Sequence, residues 1–154
     1  MGFLDSDKGS KAVIDGMAVY QMMSCGDLPG AWILVGPSDD TSSSDVVYNR
    51  ALCLRSAGRS EESLEASRIA FRRLTEGIPQ RQFDPVGTAL LTGMTAPVPM
   101  HPRMPSVNPT YAGIMARWLH CLCLYDCGET EECSRVAAPL IQMGIKPFQE
   151  KEEF

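Results

Sequence analysis

The stretch VVYNRALCLRSAGRSEESLEASRIAF, residues 46–71, decides the fold of this chain. Its apolar residues recur at helical spacing on both sides of Gly58, and a glycine there suits the left-handed turn that ends a helix. Ser44 and Ser60 are typical N-caps, acidic residues follow each of them, and arginines close the second helix as the helix dipole favours. The stretch therefore predicts two antiparallel helices joined by a tight turn, a hairpin that we place at residues 44–77.

Two other segments repeat this arrangement around a glycine. Gly26 lies 32 residues before Gly58, and Gly128 lies 70 residues after it. These glycines predict further hairpins at about residues 11–36 and 109–144. Small side chains let two helices cross closely. Such a residue stands five positions after each glycine: Ala31, Ser63 and Cys133.

These spacings resemble the tetratricopeptide repeat (TPR), a helical hairpin of about 34 residues with small residues where its helices cross. The resemblance implies an all-α fold, a TPR-like array of about three antiparallel hairpins forming a fragment of a right-handed superhelix. The resemblance covers about two thirds of the chain, and we expect residues 1–154 to form a single domain. It departs from the family pattern early in the first helices, where Val47 and Arg117 replace the expected aromatic residues.

The resemblance also implies a peptide-binding groove lined by the first helix of each hairpin. Aromatic, apolar and amide side chains would line it: Tyr20, Met23, Tyr48, Asn49 and Trp118. The carboxylate clamp of Lys, Asn and Arg known in some such grooves is absent, because only Asn49 stands at a matching position. We therefore expect the groove to bind an amphipathic helix or an extended apolar peptide of another protein. The alternative for each of these side chains is packing in the core.

Prolines interrupt the helical pattern throughout the connector, residues 78–108. A short helix over residues 85–91, capped by Asp84, fits the sequence, and the following prolines predict an extended or irregular chain. The spacing between Pro99 and Pro102 also suits a polyproline ligand. We favour a flexible connector. Asn108 then caps the first helix of the last hairpin.

Cysteine and histidine suggest a rival function. His120, Cys123 and Cys127 share one helical face and Cys133 follows the next turn, so four ligands for a tetrahedral zinc ion stand near one another in sequence. The alternative function is accordingly a metal-binding or thiol-redox module. Structural zinc sites usually take a pair of cysteines from a loop, which is missing here. We therefore expect free buried thiols and no cofactor.

Composition narrows the function further. The net charge is −5 and no long basic run occurs, which disfavours nucleic acid as a partner. No apolar run reaches the roughly 20 residues of a transmembrane helix. The opening residues lack the pattern of a secretory signal, so we expect a cytoplasmic protein with reduced thiols. Catalytic motifs are missing, and we predict a non-enzymatic adaptor or scaffold, a possible subunit of a larger complex that binds another protein or peptide.

Overall fold

The computed structural model describes residues 13–78 and 82–148, and all regular secondary structure within these two ranges is helical. This confirms the prediction of an all-α chain for the described residues. None of the described helices is both long and apolar enough to span a membrane. The helices are α1 (Gly16–Ser24), α2 (Leu28–Val35), α3 (Ser44–Ser56), α4 (Ser60–Thr75), α5 (Pro85–Thr92), α6 (Met104–Val107), α7 (Pro109–Asp126) and α8 (Thr130–Gln142).

Three glycines join consecutive helices that pack against each other: α1 with α2, α3 with α4, and α7 with α8. Gly26, Gly58 and Gly128 have φ angles of 84°, 77° and 75°, which glycine adopts without the strain of a side chain. In each turn the N–H after the glycine donates to the carbonyl four residues before the glycine, as in a Schellman motif. These bonds join Asp27 to Met22, Arg59 to Leu54 and Glu129 to Leu124.

The helix starts correct part of the sequence prediction. Ser44 and Ser60 do not cap α3 and α4; Ser43 and Arg59 occupy the N-cap positions, and neither makes a side-chain capping hydrogen bond. The glycine turn explains why α4 is capped one residue earlier than predicted, because Arg59, the residue after Gly58, already occupies the N-cap position. Side-chain caps form at four other helices, where the acceptors are Asp15, Asp27, Asp84 and Asn108.

The larger core lies between α3, α4, α7 and α8. Helix α4 packs extensively on α7, so the second and third helical pairs share this core. Most residues of α7 are buried. The small residues predicted at helix crossings are buried as well: Ala31, Ser63 and Cys133. Small side chains at these points let the helix axes approach closely.

The first helical pair forms a smaller core with one side of α3. Helix α1 begins at Gly16, later than the predicted start at residue 11, and residues 11 and 12 lie outside the described part of the chain. Val19 and Met23 supply its buried face. On α2 the buried residues are Ala31 and Val35, whereas Ile33 is 75% exposed.

The connector contains more helix than its prolines predict. The expected short helix is present as α5, and a further turn, α6, precedes α7. Residues 97–101 have no regular secondary structure, as predicted. Residues 79–81 of the connector lie outside the described part of the chain. The connector thus provides the non-helical stretch that covers the candidate site.

Candidate partner-binding surface

The residues predicted to line a groove on α3 are covered by the chain itself. Residues 96–103, APVPMHPR, cross α3 between α5 and α6, and we call them the covering segment. Asn49 Nδ2 donates to the Met100 carbonyl at 2.9 Å, and Asn49 Oδ1 accepts from the Met100 N–H at 2.8 Å. The Tyr48 hydroxyl donates to the Val98 carbonyl at 2.7 Å. Two side chains of α3 therefore hold three main-chain groups of a non-helical stretch.

Burial strengthens these hydrogen bonds. Tyr48 and Asn49 are both wholly buried. Burial raises the pKa of Tyr48 well above its usual value, so the hydroxyl keeps the proton that it donates. Hydrogen bonds are stronger where water is excluded, and an unpaired group is costlier there. The pairing with Met100 is therefore a specific main-chain contact.

Two side chains of the covering segment, three residues apart, are buried. Pro97 is buried and Met100 is 2% exposed, whereas Val98 between them is 40% exposed. A polyproline helix has three residues per turn and places residues at this spacing on one side. Met100 joins the larger core. The segment thus presents two apolar side chains and its backbone to the helices.

The other end of the covering segment lies against α1. The rings of Tyr20 and His101 meet edge to face with centroids 5.1 Å apart. A Cβ added to Gly16 would stand 3.3 Å from Pro102 Cγ, so the helix backbone and the proline ring are in close contact there. The segment therefore spans two of the first helices, and Tyr20 contacts it as well as Tyr48 and Asn49.

Asp45 is a buried carboxylate at the same end of the covering segment. The Cβ added to Gly16 would also stand 2.6 Å from Asp45 Oδ2. Asp45 is 4% exposed, and its Oδ2 receives no hydrogen bond from any residue that the structure describes. A buried charged oxygen without a donor is unfavourable, and natural proteins contain few of them. Asp45 Oδ2 and the Pro102 ring thus both lie beside Gly16, and no described residue donates to that oxygen.

The two remaining predicted groove residues lie elsewhere. Met23 packs in the smaller core between α1, α2 and α3. Trp118 on α7 is wholly buried, and its Nε1–H donates to the Pro147 carbonyl at 2.9 Å. The structure therefore brings together three of the five residues. The sequence prediction missed Met100, Asp45 and Pro97, although the three-residue spacing of Pro97 and Met100 was a signal for one buried side of the segment.

The rival metal site is not assembled. Within the described residues, no three His, Cys, Asp or Glu side chains lie close enough together to hold a metal ion. Cys133 Sγ lies 3.9 Å from Cys121 Sγ, and Cys127 Sγ contacts the Ser60 carbonyl. Cys123 is buried on α7. Burial raises the pKa of Cys121, Cys123 and Cys133, so these groups are thiols at neutral pH, whereas metal ions and oxidants react with thiolates.

His120 lies in the core between α4, α7 and α8. Its Nδ1 is 3.1 Å from Ser67 Oγ, its ring stacks on Phe71, and its Nε2 is 3.8 Å from Glu132 Oε2. Burial, reinforced by the charge of Arg68, lowers the pKa of His120 to about 4, although Glu132 acts in the opposite direction. The imidazole is therefore neutral at physiological pH, and its Nδ1 shares a hydrogen bond with Ser67 Oγ.

Comparisons of the chain with protein-family models, with curated proteins and with solved structures find no significant match.

Proposed function

We propose that this chain is a cytoplasmic adaptor that binds another protein, built as a TPR-like array of three helical pairs and acting as a scaffold subunit. Three features support the array. The glycine turns at Gly26, Gly58 and Gly128 share one hydrogen-bonding pattern. Small residues occupy equivalent buried positions after them. Successive pairs pack on one another through α2 with α3 and α4 with α7. Arrays of this kind bury a continuous core and present extended surfaces to partners.

The pairing of Asn49 with Met100 is the observation that carries the proposal. One amide side chain bonds the N–H and the carbonyl of a single residue, so the contact depends on the backbone and not on the side chain. Main-chain contacts of this type suit the recognition of an extended polypeptide, with side-chain pockets adding specificity. The surface of α1 and α3 therefore has the chemistry of a peptide-binding surface, and the covering segment is its occupant in this structure.

The proposal assigns no catalytic role to the chain. Among the described residues, the arrangement that most resembles a nucleophile with its base consists of Ser67, His120 and Glu132. Ser67 and His120 are buried between helices, and Ser67 already donates to the Leu64 carbonyl. A nucleophile needs access to its substrate and a base that takes its proton. Ser67 and His120 instead satisfy hydrogen bonds within the core.

A second surface of the described chain provides the matched control. Helix α2 exposes Ile33, and a cleft of about 330 Å³ opens between other residues of α2 and the end of α3. Its apolar lining includes Leu28, Pro29, Trp32 and Leu54. Exposed apolar side chains in a continuous patch also attract partners. The control therefore separates contact through this patch from contact through Asn49.

Affinity capture tests the proposal. The full chain, Asn49→Ala and Ile33→Ser are immobilised and exposed to an extract of the cells that make the protein, and recovered proteins are quantified by mass spectrometry. We expect the wild type and Ile33→Ser to recover the same protein in near-stoichiometric amount, and Asn49→Ala to lose it while circular dichroism remains helical. Recovery of no protein by the wild type would refute the adaptor proposal. Loss with Ile33→Ser alone would move the contact to α2.

A further inference from the structure

Building on the proposed function, we infer that the covering segment is a replaceable occupant of the surface formed by α1 and α3. Its external competitor is an extended, proline-containing peptide of a partner protein. That peptide carries a hydroxyl or amine donor at the position where this chain has Pro102, and the donor pairs with Asp45. The inference names the chemical class of the partner and the residue that selects it.

Replacement requires little rearrangement of the helices. The main-chain bonds to the covering segment come from Tyr48 and Asn49. Helix α5, which leads into the segment, packs only lightly on the other described helices: Leu91 alone is buried against the larger core, and Val86 and Leu90 are exposed. The segment and α5 can therefore leave the surface while the three helical pairs keep their contacts with one another.

Asp45 explains how an external peptide can displace the covering segment, which is tethered to the chain. The covering segment presents a proline at this point, and a proline has neither an N–H nor a polar side chain. The buried Asp45 Oδ2 therefore receives no donor from the described residues. A peptide with Lys or Ser at the same position supplies that donor and removes the penalty. A hydrogen bond to a charged group corresponds to roughly 10- to 100-fold in affinity.

The experiment measures fluorescence anisotropy with two labelled peptides. One has the sequence of residues 95–104, TAPVPMHPRM, and the other carries Pro102→Lys. They are titrated with the wild type, with Met100→Asp and with Val98→Asp. Met100→Asp places a charge at the buried position of the tethered segment and releases it, whereas Val98→Asp adds the same charge at a partly exposed position two residues away.

We expect both peptides to bind Met100→Asp at least tenfold more tightly than the wild type, because the wild-type surface is mostly occupied. Val98→Asp should behave like the wild type. The Pro102→Lys peptide should bind roughly tenfold or more tightly than the other peptide. That preference should disappear when Asp45→Asn is added to Met100→Asp. A scrambled peptide of the same composition should not bind.

Several results would overturn the inference. Equal binding to the wild type, Val98→Asp and Met100→Asp would place the peptide on another surface. Loss of the lysine preference in the parent Met100→Asp protein would remove the role of Asp45. If folded Met100→Asp binds neither peptide yet still captures the partner protein, the inference fails and the proposed function stands. Capture by no variant would reject both.

Hydrogen exchange on the wild type decides the matter if Met100→Asp does not fold. Excess Pro102→Lys peptide should displace the covering segment, so the exchange of the Met100 N–H should speed up while exchange in α4 and α7 stays unchanged. Protection of Met100 that does not change at any peptide concentration would refute displacement.

Discussion

Replacing Asn49 with alanine is the most direct test of what holds the covering segment. The change removes both hydrogen bonds to Met100 and leaves a buried N–H and a buried carbonyl without partners. Each such group costs about 1–3 kcal/mol, so we expect Asn49→Ala to lower the free energy of unfolding by about 2–6 kcal/mol. The loss cannot exceed the free energy with which the segment docks, because beyond that point the segment detaches and its groups become solvated.

Urea denaturation followed by circular dichroism gives the free energy of unfolding. Asn108→Ala is the matched control, because Asn108 makes a single capping hydrogen bond to the Tyr111 N–H at 3.1 Å in a partly exposed setting. Loss of an N-cap costs about 1 kcal/mol. Hydrogen exchange adds a local measurement: the Met100 N–H should lose protection in Asn49→Ala and keep it in Asn108→Ala. Equal destabilisation by the two changes, with Met100 still protected in both, would refute the reasoning.

Three other predictions concern the cysteines, His120 and the glycine turns. Native protein treated with iodoacetamide should be alkylated first at the exposed Cys25, whereas the buried Cys121, whose pKa burial raises, should react only on unfolding; mass spectrometry of early alkylation at Cys121 would contradict the fold. The pKa of His120 is lower in the folded chain than in the unfolded one, so the unfolded chain binds more protons between pH 6.5 and about 4. The free energy of unfolding should therefore fall as the pH drops through that range, by about 3 kcal/mol at most. Replacing the residue, as His120→Gln, should flatten this pH dependence. Gly58→Ala should cost about 1–2 kcal/mol through its backbone conformation alone, because no atom lies within 4 Å of the added Cβ, and Gly128→Ala should match it; a neutral result at both would remove the left-handed turns.

The glycine turns were predictable because each is decided locally. A left-handed residue after a helix is strained for every amino acid with a Cβ, so glycine at that position carries most of the signal. Gly26, Gly58 and Gly128 all adopt the expected conformation. The cap positions were less predictable. Arg59 occupies the N-cap of α4 because it directly follows the glycine turn, although the next residue, Ser60, has the side chain that N-caps prefer. Here the geometry of the turn overrode the preference of the side chain.

The state of the candidate surface was not predictable in the same way. Tyr48 and Asn49 were identified from their place in the repeat, but their burial depends on residues about 50 positions later in the chain. Local patterns carry no information about such a long-range contact. In this structure both side chains are buried beneath the covering segment, and their role in lining a groove for a partner stays a prediction.

The prolines that made the connector look flexible also favour burial of the covering segment. A non-helical stretch can lie buried only if its backbone N–H groups find acceptors. Three of the eight residues in the covering segment are prolines, which have no N–H to satisfy. The N–H of Met100 is paired with Asn49, and that of Arg103 donates to the ring of His101. The prolines that exclude a helix therefore lower the penalty for burying this stretch against α1 and α3. For the same reason Pro102 cannot donate to Asp45 Oδ2, which receives no hydrogen bond from the described residues. The residue type that lets the segment lie here therefore also limits how tightly the segment is held.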